Sequence, residues 1–173
     1  MLGAMNVDDL RHALGGIVIE AAYLEQVLRA SFGALTGSKY TAAIDGRMMA
    51  HALIEDCRHI AKVHTDITEP ARAVLLKALD DCDAVNRKRN RVIHDAWAYC
   101  GGNVMITLQD QRDSQDVATA AGTVDELTDL AGQIGAAAAN LGATVTNALG
   151  PDSMRIEDQL RLELGHPVNA EIG

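Results

Sequence analysis

The chain is poor in aromatic residues, poor in proline and free of long apolar runs. Only 3% of its 173 residues are aromatic, whereas 48% are hydrophobic. A core built mostly from alanine, leucine and valine lets helices pack closely, which favours an all-α fold. Because no apolar stretch reaches the length of a membrane span, no membrane association is expected.

Cysteine is also scarce, and its three copies are odd in number. Cys57, Cys82 and Cys100 therefore fit no paired disulfide framework, and reduced thiols in a cytoplasmic protein are the simplest interpretation. Two acidic residues, Asp8 and Asp9, stand before the first apolar segment, so no signal peptide is expected. These features together predict a cytoplasmic location.

The chain carries too little positive charge for a protein that coats nucleic acid non-specifically. Its formal net charge is −9 and its pI is near 5.0, whereas non-specific affinity for the phosphate backbone requires excess lysine and arginine. That balance leaves room for one small, focused basic site. A length of 173 residues with a mean hydropathy of zero predicts one globular domain with a buried core.

Apolar residues recur at helical spacing in four segments of the sequence. The predicted helices run from Asp8 to about Phe32, from about Tyr40 to His64, from Thr68 and Pro70 through Ala96, and from Thr123 to Gly150. Thr123 and Glu126 have the spacing of a capping box. The residues predicted to face inward on the first and fourth helices are Leu10, Leu14, Ile17, Ala21, Leu24 and Leu28, and Leu127, Leu130, Ile134, Ala138, Leu141 and Val145. Those predicted to face inward on the second and third helices are Met49, Leu53, Cys57, Ile60, Ala71, Val74, Leu75, Ala78, Leu79, Cys82, Val85, Val92, Ile93 and Ala96.

The spacing of apolar residues is no longer helical after the third helix. Within residues 97–108, two apolar segments flank the turn sequence Gly101-Gly102-Asn103, which predicts a short β-hairpin. Residues 151–173 predict a short amphipathic helix and a mobile end. We therefore expect an antiparallel four- to five-helix bundle, with its main body in residues 1–150 and a short β-hairpin after the third helix.

The segment with the strongest chemical signal is Arg89-Asn90-Arg91-Val92-Ile93-His94, near the end of the third helix. A guanidinium can hold a phosphate through paired donors, and an imidazole can move a proton near neutral pH. Together these groups suffice to break a phosphodiester without a metal ion. Four cations lie within residues 87–91, which overlap this motif and which we call the basic segment: Arg87, Lys88, Arg89 and Arg91.

Arg89 admits two interpretations from the sequence. It falls in the middle of an apolar stripe, where a lone charge costs several kcal/mol, so it requires a partner. A structural interpretation pairs it with a carboxylate of the first helix, and Glu20 is the nearest candidate by pattern. In the functional interpretation, the guanidinium lies at a cleft and binds a phosphate. His94 lies about 140° around a regular helix from Arg89, so either the helix is distorted at its end or two chains share one cleft.

Other candidate groups are weaker. Trp97 is positioned to stack on a base beside the basic segment, although burial in the bundle is the simpler expectation. Cys57, His59 and His64 lack the paired spacing of structural zinc sites, so no metal and no cofactor are expected.

The motif and the order of elements resemble those of the HEPN superfamily, whose members are small helical bundles that pair about a two-fold axis. The resemblance includes Leu24-Glu25 in a long first helix, the Arg89–His94 motif closing a later helix, Trp97 shortly after it, a short hairpin and a final long helix. It covers about residues 7–149. The segment after Gly150 lies outside it.

The resemblance implies a metal-independent endoribonuclease that cleaves single-stranded RNA at a site shared across a homodimer. Arg89 and His94 would be the catalytic pair and Asn90 the supporting polar residue, with Arg87, Lys88, Arg91 and Trp97 binding RNA. Many proteins of this kind act as toxins or in host defence, some beside an antitoxin or a nucleotidyltransferase partner. Two alternatives remain open: a non-catalytic dimeric module that binds a nucleotide, an RNA or a protein, and a purely structural bundle in which Arg89 pairs with Glu20.

Overall fold

Four α-helices make up most of the chain that the computed structural model describes, namely residues 7–38, 48–94, 96–100, 103–108, 118–120 and 123–150. The helices are α1 (Val7–Thr36), α2 (Ala50–Val63), α3 (Glu69–His94) and α4 (Val124–Leu149). Within these residues, no helix is long and apolar enough to cross a membrane.

The four helices pack as a bundle in which α1 and α3 each contact both α2 and α4 and touch one another only slightly. α3 runs antiparallel to α4, because the Cys82 thiol contacts the Ala137 carbonyl and Lys88, further along α3, contacts Gln133, earlier in α4. The loop of residues 64–68 is short, and α2 therefore folds back along α3 as the other half of a helical hairpin. The predicted helical bundle is thus confirmed.

The core consists of aliphatic side chains on the inner face of each helix. Ile17, Leu24 and Leu28 of α1 are buried, as the three- and four-residue spacing predicts. All six apolar residues predicted to face inward on α4 are buried as well: Leu127, Leu130, Ile134, Ala138, Leu141 and Val145.

The start of α4 is fixed by the predicted capping box. The Thr123 hydroxyl accepts a hydrogen bond from the Glu126 backbone N–H at 3.1 Å, and the Glu126 carboxylate accepts one from the Thr123 N–H at 2.8 Å. Two backbone donors that a helix start leaves without partners are thereby satisfied, which stabilises the helix by about 1 kcal/mol.

Four residues predicted to face the core do not lie in a buried helix face. Met49 is 77% exposed because α2 begins only at Ala50. Residue 49 has an extended backbone, so the helical spacing does not apply to it. Val74 and Ile93 are exposed because each lies about 100° around α3 from a better-buried neighbour, Leu75 or Val92. Ala96 belongs to the first strand, since α3 ends at His94.

The segment between α3 and α4 contains three strands, β1 (Ala96–Cys100), β2 (Asn103–Leu108) and β3 (Ala118–Ala120). β1 and β2 pair antiparallel, with Cys100 opposite Asn103, and β2 pairs antiparallel with β3. The third strand falls in a polar stretch that carried no strand signal. The predicted C-terminal helix within 151–173, and the predicted helical stretch 40–47, lie outside the described residues.

Candidate functional site

The basic segment lies in the last two turns of α3, which stays α-helical through His94. The backbone of Arg89 and that of His94 therefore lie about 140° apart around one regular helix. The side chains of His94 and Trp97 lie outside the described residues.

Arg89 is held between α3 and α1 by weak and incomplete pairing. Its Nη1 donates a hydrogen bond to the Asn90 side-chain oxygen at 2.9 Å, and its Nη2 lies 4.0 Å from a carboxylate oxygen of Glu25. The buried Nε has no hydrogen-bond partner among the described residues. Its side chain is 28% exposed, and the five N–H donors of a guanidinium outnumber these contacts.

Glu20, the carboxylate predicted to pair with Arg89, lies elsewhere. Its side chain packs against Gly135 of α4, so closely that a Cβ atom at position 135 would force it to shift. The carboxylate that reaches Arg89 is Glu25, five residues further along α1. A shift of five residues turns the side chain by about 140° and carries it along the helix axis, which moves the partner from the α4 side of α1 to the α3 side.

Sequence reasoning also missed Arg29, which shares Glu25 with Arg89. Arg29 Nη1 lies 3.7 Å from one oxygen of the Glu25 carboxylate, whereas Arg89 Nη2 lies 4.0 Å from the other. We call Glu25, Arg29, Arg89 and Asn90 the Glu25 cluster. The spacing of Glu25 and Arg29, four residues apart on one helix, was the signal that could have revealed it.

The remaining cations of the basic segment point to different neighbours. Arg87 donates to Asp83 at 2.7 Å, and Lys88 donates to the Gln133 side chain of α4 at 2.9 Å. Arg91 is exposed. The four cations therefore do not converge on one point within a single chain.

A second charged cluster lies between α2 and α3 around Asp83, whose carboxylate is only 8% exposed. It is contacted by Arg87 at 2.7 Å, by Arg58 at 3.7 Å and by the His51 ring at 3.8 Å. We call Asp83, His51, Arg58 and Arg87 the Asp83 cluster. Arg58 is also bound by Asp80 and Glu55. Burial lowers the pKa of Arg58, but the bonds and charges of these two carboxylates outweigh it and leave that pKa raised.

Two buried thiols lie beside the Asp83 cluster in sequence. Burial, with smaller contributions from neighbouring charges, raises the pKa of Cys57 and that of Cys82 to about 12. Both thiols contact backbone carbonyls, that of Leu28 and that of Ala137. They are therefore neutral core groups rather than nucleophiles. Among the described residues no group of three or more His, Cys, Asp or Glu side chains is placed to hold a metal ion.

No family model, no curated protein and no solved structure matches this chain. The assignment of a function therefore rests on the residues and their geometry.

Proposed function

We propose that the protein is a dimeric, metal-independent endoribonuclease of the HEPN type that cleaves single-stranded RNA. The observation that carries this proposal is the state of Arg89. Its side chain is partly exposed, its guanidinium donates to Asn90 near the helix end, and only a distant carboxylate balances its charge. A guanidinium with free donors in this position can bind a phosphate through two parallel hydrogen bonds.

The chemistry follows from the two motif residues. His94 would take the proton from a ribose 2′-hydroxyl as that oxygen attacks phosphorus, or give a proton to the departing 5′-oxygen. Arg89 would stabilise the negative charge that develops on the phosphorane. The products are a 2′,3′-cyclic phosphate and a 5′-hydroxyl, so the reaction requires RNA. Because one regular helix separates the two residues by about 140°, the partner subunit's His94 would complete the site.

The decisive experiment is cleavage of single-stranded RNA in excess EDTA. The wild-type protein should cut the RNA and leave a cyclic phosphate, and a substrate with a single 2′-deoxy position should resist cleavage there. His94→Ala should abolish cleavage, while His12→Ala, at an exposed position near the start of α1, should leave it unchanged. Full activity of His94→Ala would overturn the mechanism.

An uncharged apolar surface on α1 supports self-association of the chain. Val18, Ile19 and Tyr23 are exposed large hydrophobic residues on the outer side of the helix. Between His12 and Glu25 the one charged residue of α1 is Glu20, which packs against α4. Two copies of a chain with net charge −9 repel each other at most surfaces. On this surface two copies can meet without apposing like charges, and a second copy is its proposed occupant.

Sedimentation can test that dimer. Ile19→Glu should shift the protein toward monomer at micromolar concentration, whereas Val74→Glu, an equal change at an exposed valine of α3, should leave the dimer intact. Loss of the dimer should remove cleavage as well if the site is shared. A wild-type protein that sediments as a monomer would remove the shared-site mechanism.

A second candidate is a dimeric binding module without catalysis, and the Glu25 carboxylate favours it because it already offsets part of the charge on Arg89. Under this alternative the protein binds RNA, a nucleotide or an acidic protein partner and leaves RNA intact. The EDTA experiment separates the two candidates. A toxin or defence role, a cytoplasmic location, and an antitoxin or nucleotidyltransferase partner are proposals that follow from the HEPN resemblance.

A further inference from the structure

The Glu25 carboxylate faces two guanidiniums without closing a hydrogen bond to either. Its two oxygens lie 4.0 Å from Arg89 Nη2 and 3.7 Å from Arg29 Nη1. Charge-assisted hydrogen bonds between such groups are normally about 2.7–2.9 Å long. One carboxylate thus bridges two cations loosely, and the three groups together carry one net positive charge.

Both arginines keep donor capacity that Glu25 does not use. Arg29 donates to the Met48 carbonyl at 3.4 Å, which is a long hydrogen bond, and the buried Nε of Arg89 has no partner among the described residues. Each side chain is less than one third exposed. Cations at this depth favour an anion in direct contact, and the carboxylate as placed does not provide one.

We propose that Arg29 and Arg89 form a two-arginine binding site for a phosphate group of RNA, and that Glu25 occupies the place of the anion until the phosphate displaces it. Phosphate suits the site because its oxygens can bind two guanidinium forks at once. Glu25 is itself partly exposed, so its carboxylate can rotate into solvent when the phosphate enters. RNA as the source of the phosphate rests on the proposed function, whereas the two-arginine site itself does not.

Binding of a 2′-O-methyl RNA oligonucleotide, followed by fluorescence anisotropy on the full chain at fixed salt, tests the site without any cleavage. Glu25→Gln should tighten binding about fivefold to tenfold, because it removes the competing anion and keeps the side-chain shape. Glu20→Gln is the matched control. It makes the same charge change on the same helix, against α4, and should alter binding less than about twofold.

Arg29→Ala should weaken oligonucleotide binding by about tenfold or more, since a hydrogen-bonded phosphate contact is lost. Arg11→Ala, at an exposed arginine near the start of α1, is the matched control and should have a small effect. Arg29→Lys keeps the charge but loses the forked geometry, so it should fall between wild type and Arg29→Ala. It also serves if the alanine variant does not fold, which a thermal melt of each variant decides.

Equal affinities for Glu25→Gln and Glu20→Gln would overturn the proposal, because Glu25 would then be a permanent structural partner. Inorganic phosphate should compete with the oligonucleotide in the wild type and compete less in Arg29→Ala. If inorganic phosphate binds to the protein and the oligonucleotide does not, RNA is not the ligand. If the variants bind as predicted but the wild type does not cleave RNA, the ribonuclease proposal fails and the two-arginine site stands. If the wild type cleaves RNA but Glu25→Gln binds no more tightly, the two-arginine site fails and the ribonuclease proposal stands.

Discussion

The two charged clusters on α3 use the same kinds of residue and differ in how tightly they are closed. In the Asp83 cluster a nearly buried carboxylate receives a 2.7 Å bond from Arg87, and Arg58 is bound by two further carboxylates. In the Glu25 cluster the carboxylate stays partly exposed, and its arginines approach no closer than 3.7 Å. The first arrangement gives its arginines short bonds and leaves only the buried Asp83 Oδ1 without a hydrogen-bond partner among the described residues, whereas the second leaves arginine donors for a ligand.

This difference suggests how to separate structural from functional arginines when composition and burial are alike. A guanidinium whose donors are taken by short bonds has few donors left for a ligand, and its loss leaves its carboxylate partners without that bond. A guanidinium at the same depth with long contacts contributes little to folding and can bind an incoming anion. The comparison assigns Arg58 to the first class and Arg89 to the second.

The largest expected effect is on catalysis. Arg89→Ala should reduce RNA cleavage by about 100-fold to 1,000-fold, because transition-state charge loses its stabilising donor, while Arg58→Ala should retain cleavage within a few-fold. Single-turnover cleavage in EDTA, with each variant shown folded by circular dichroism, measures both. Equal loss of activity in the two variants would erase the distinction between the clusters.

Stability should show the opposite pattern. Asp83→Ala should lower the free energy of unfolding by about 1–2 kcal/mol, because Arg87 loses its 2.7 Å acceptor and Arg58 loses a buried negative charge 3.7 Å away. Arg89→Ala should cost about 1 kcal/mol or less, since its ion pair with Glu25 is long and partly solvated. Urea unfolding of both variants gives these values. A cost of several kcal/mol for Arg89→Ala would instead support the purely structural interpretation of that arginine.

The thiols test whether the bundle beside the Asp83 cluster is as closed as its short bonds indicate. Folding raises the pKa of the Cys82 thiol to about 12, above the value of about 8.5 in an unfolded chain. The stabilisation is complete below the unfolded pKa and is lost as pH rises toward 12, by about 1.4 kcal/mol per pH unit. The free energy of unfolding, measured with urea at pH 8, 9 and 10, should therefore fall less steeply with pH in Cys82→Ala than in the wild type. An unchanged slope would show that solvent reaches the thiol.

The smallest expected effect concerns salt. Glu25→Gln should change the free energy of unfolding by less than about 1 kcal/mol at low salt, and the change should shrink further at high salt because exposed pairs are screened. The cost of Asp83→Ala should persist, since a buried carboxylate is screened much less. Urea unfolding at about 0.05 M and about 0.5 M NaCl compares the two. Equal salt sensitivity in both variants would mean that the clusters are equally solvated.

Local patterns predicted the features that depend on residues close in sequence. The Thr123–Glu126 capping box and the buried stripe of α4 were read correctly, because a cap and a helix face are set by spacings of three and four residues. The exposed Met49 was read wrongly because the periodic pattern continued past the true start of α2. Helix boundaries depend on tertiary contacts as well as on local pattern.

The partner of Arg89 was the main error at the site, and its cause is general. Glu20 and Glu25 both border the apolar stripe of α1, and the pattern placed Glu20 nearer to Arg89. The choice between them depends on how α1 is rotated and shifted relative to α3 and α4. Helix packing fixes that rotation through the shapes of many core side chains, Ile17, Leu24 and Leu28 among them, and no short pattern encodes it.

The sequence by itself determined that this protein builds a helical bundle and that its basic segment closes the third helix, because periodicity, capping and charge clustering are local properties. Only the tertiary structure decided which cations are closed off and which stay available. Arg87 meets Asp83 at 2.7 Å, whereas Arg89, two residues later, meets Glu25 at 4.0 Å. Asp83 lies four residues before Arg87 on α3 itself, whereas Glu25 lies on α1. Two residues turn a helix by about 200°, so nearby members of one basic run point to different neighbours, and the distance to the neighbouring carboxylate sets the role of each.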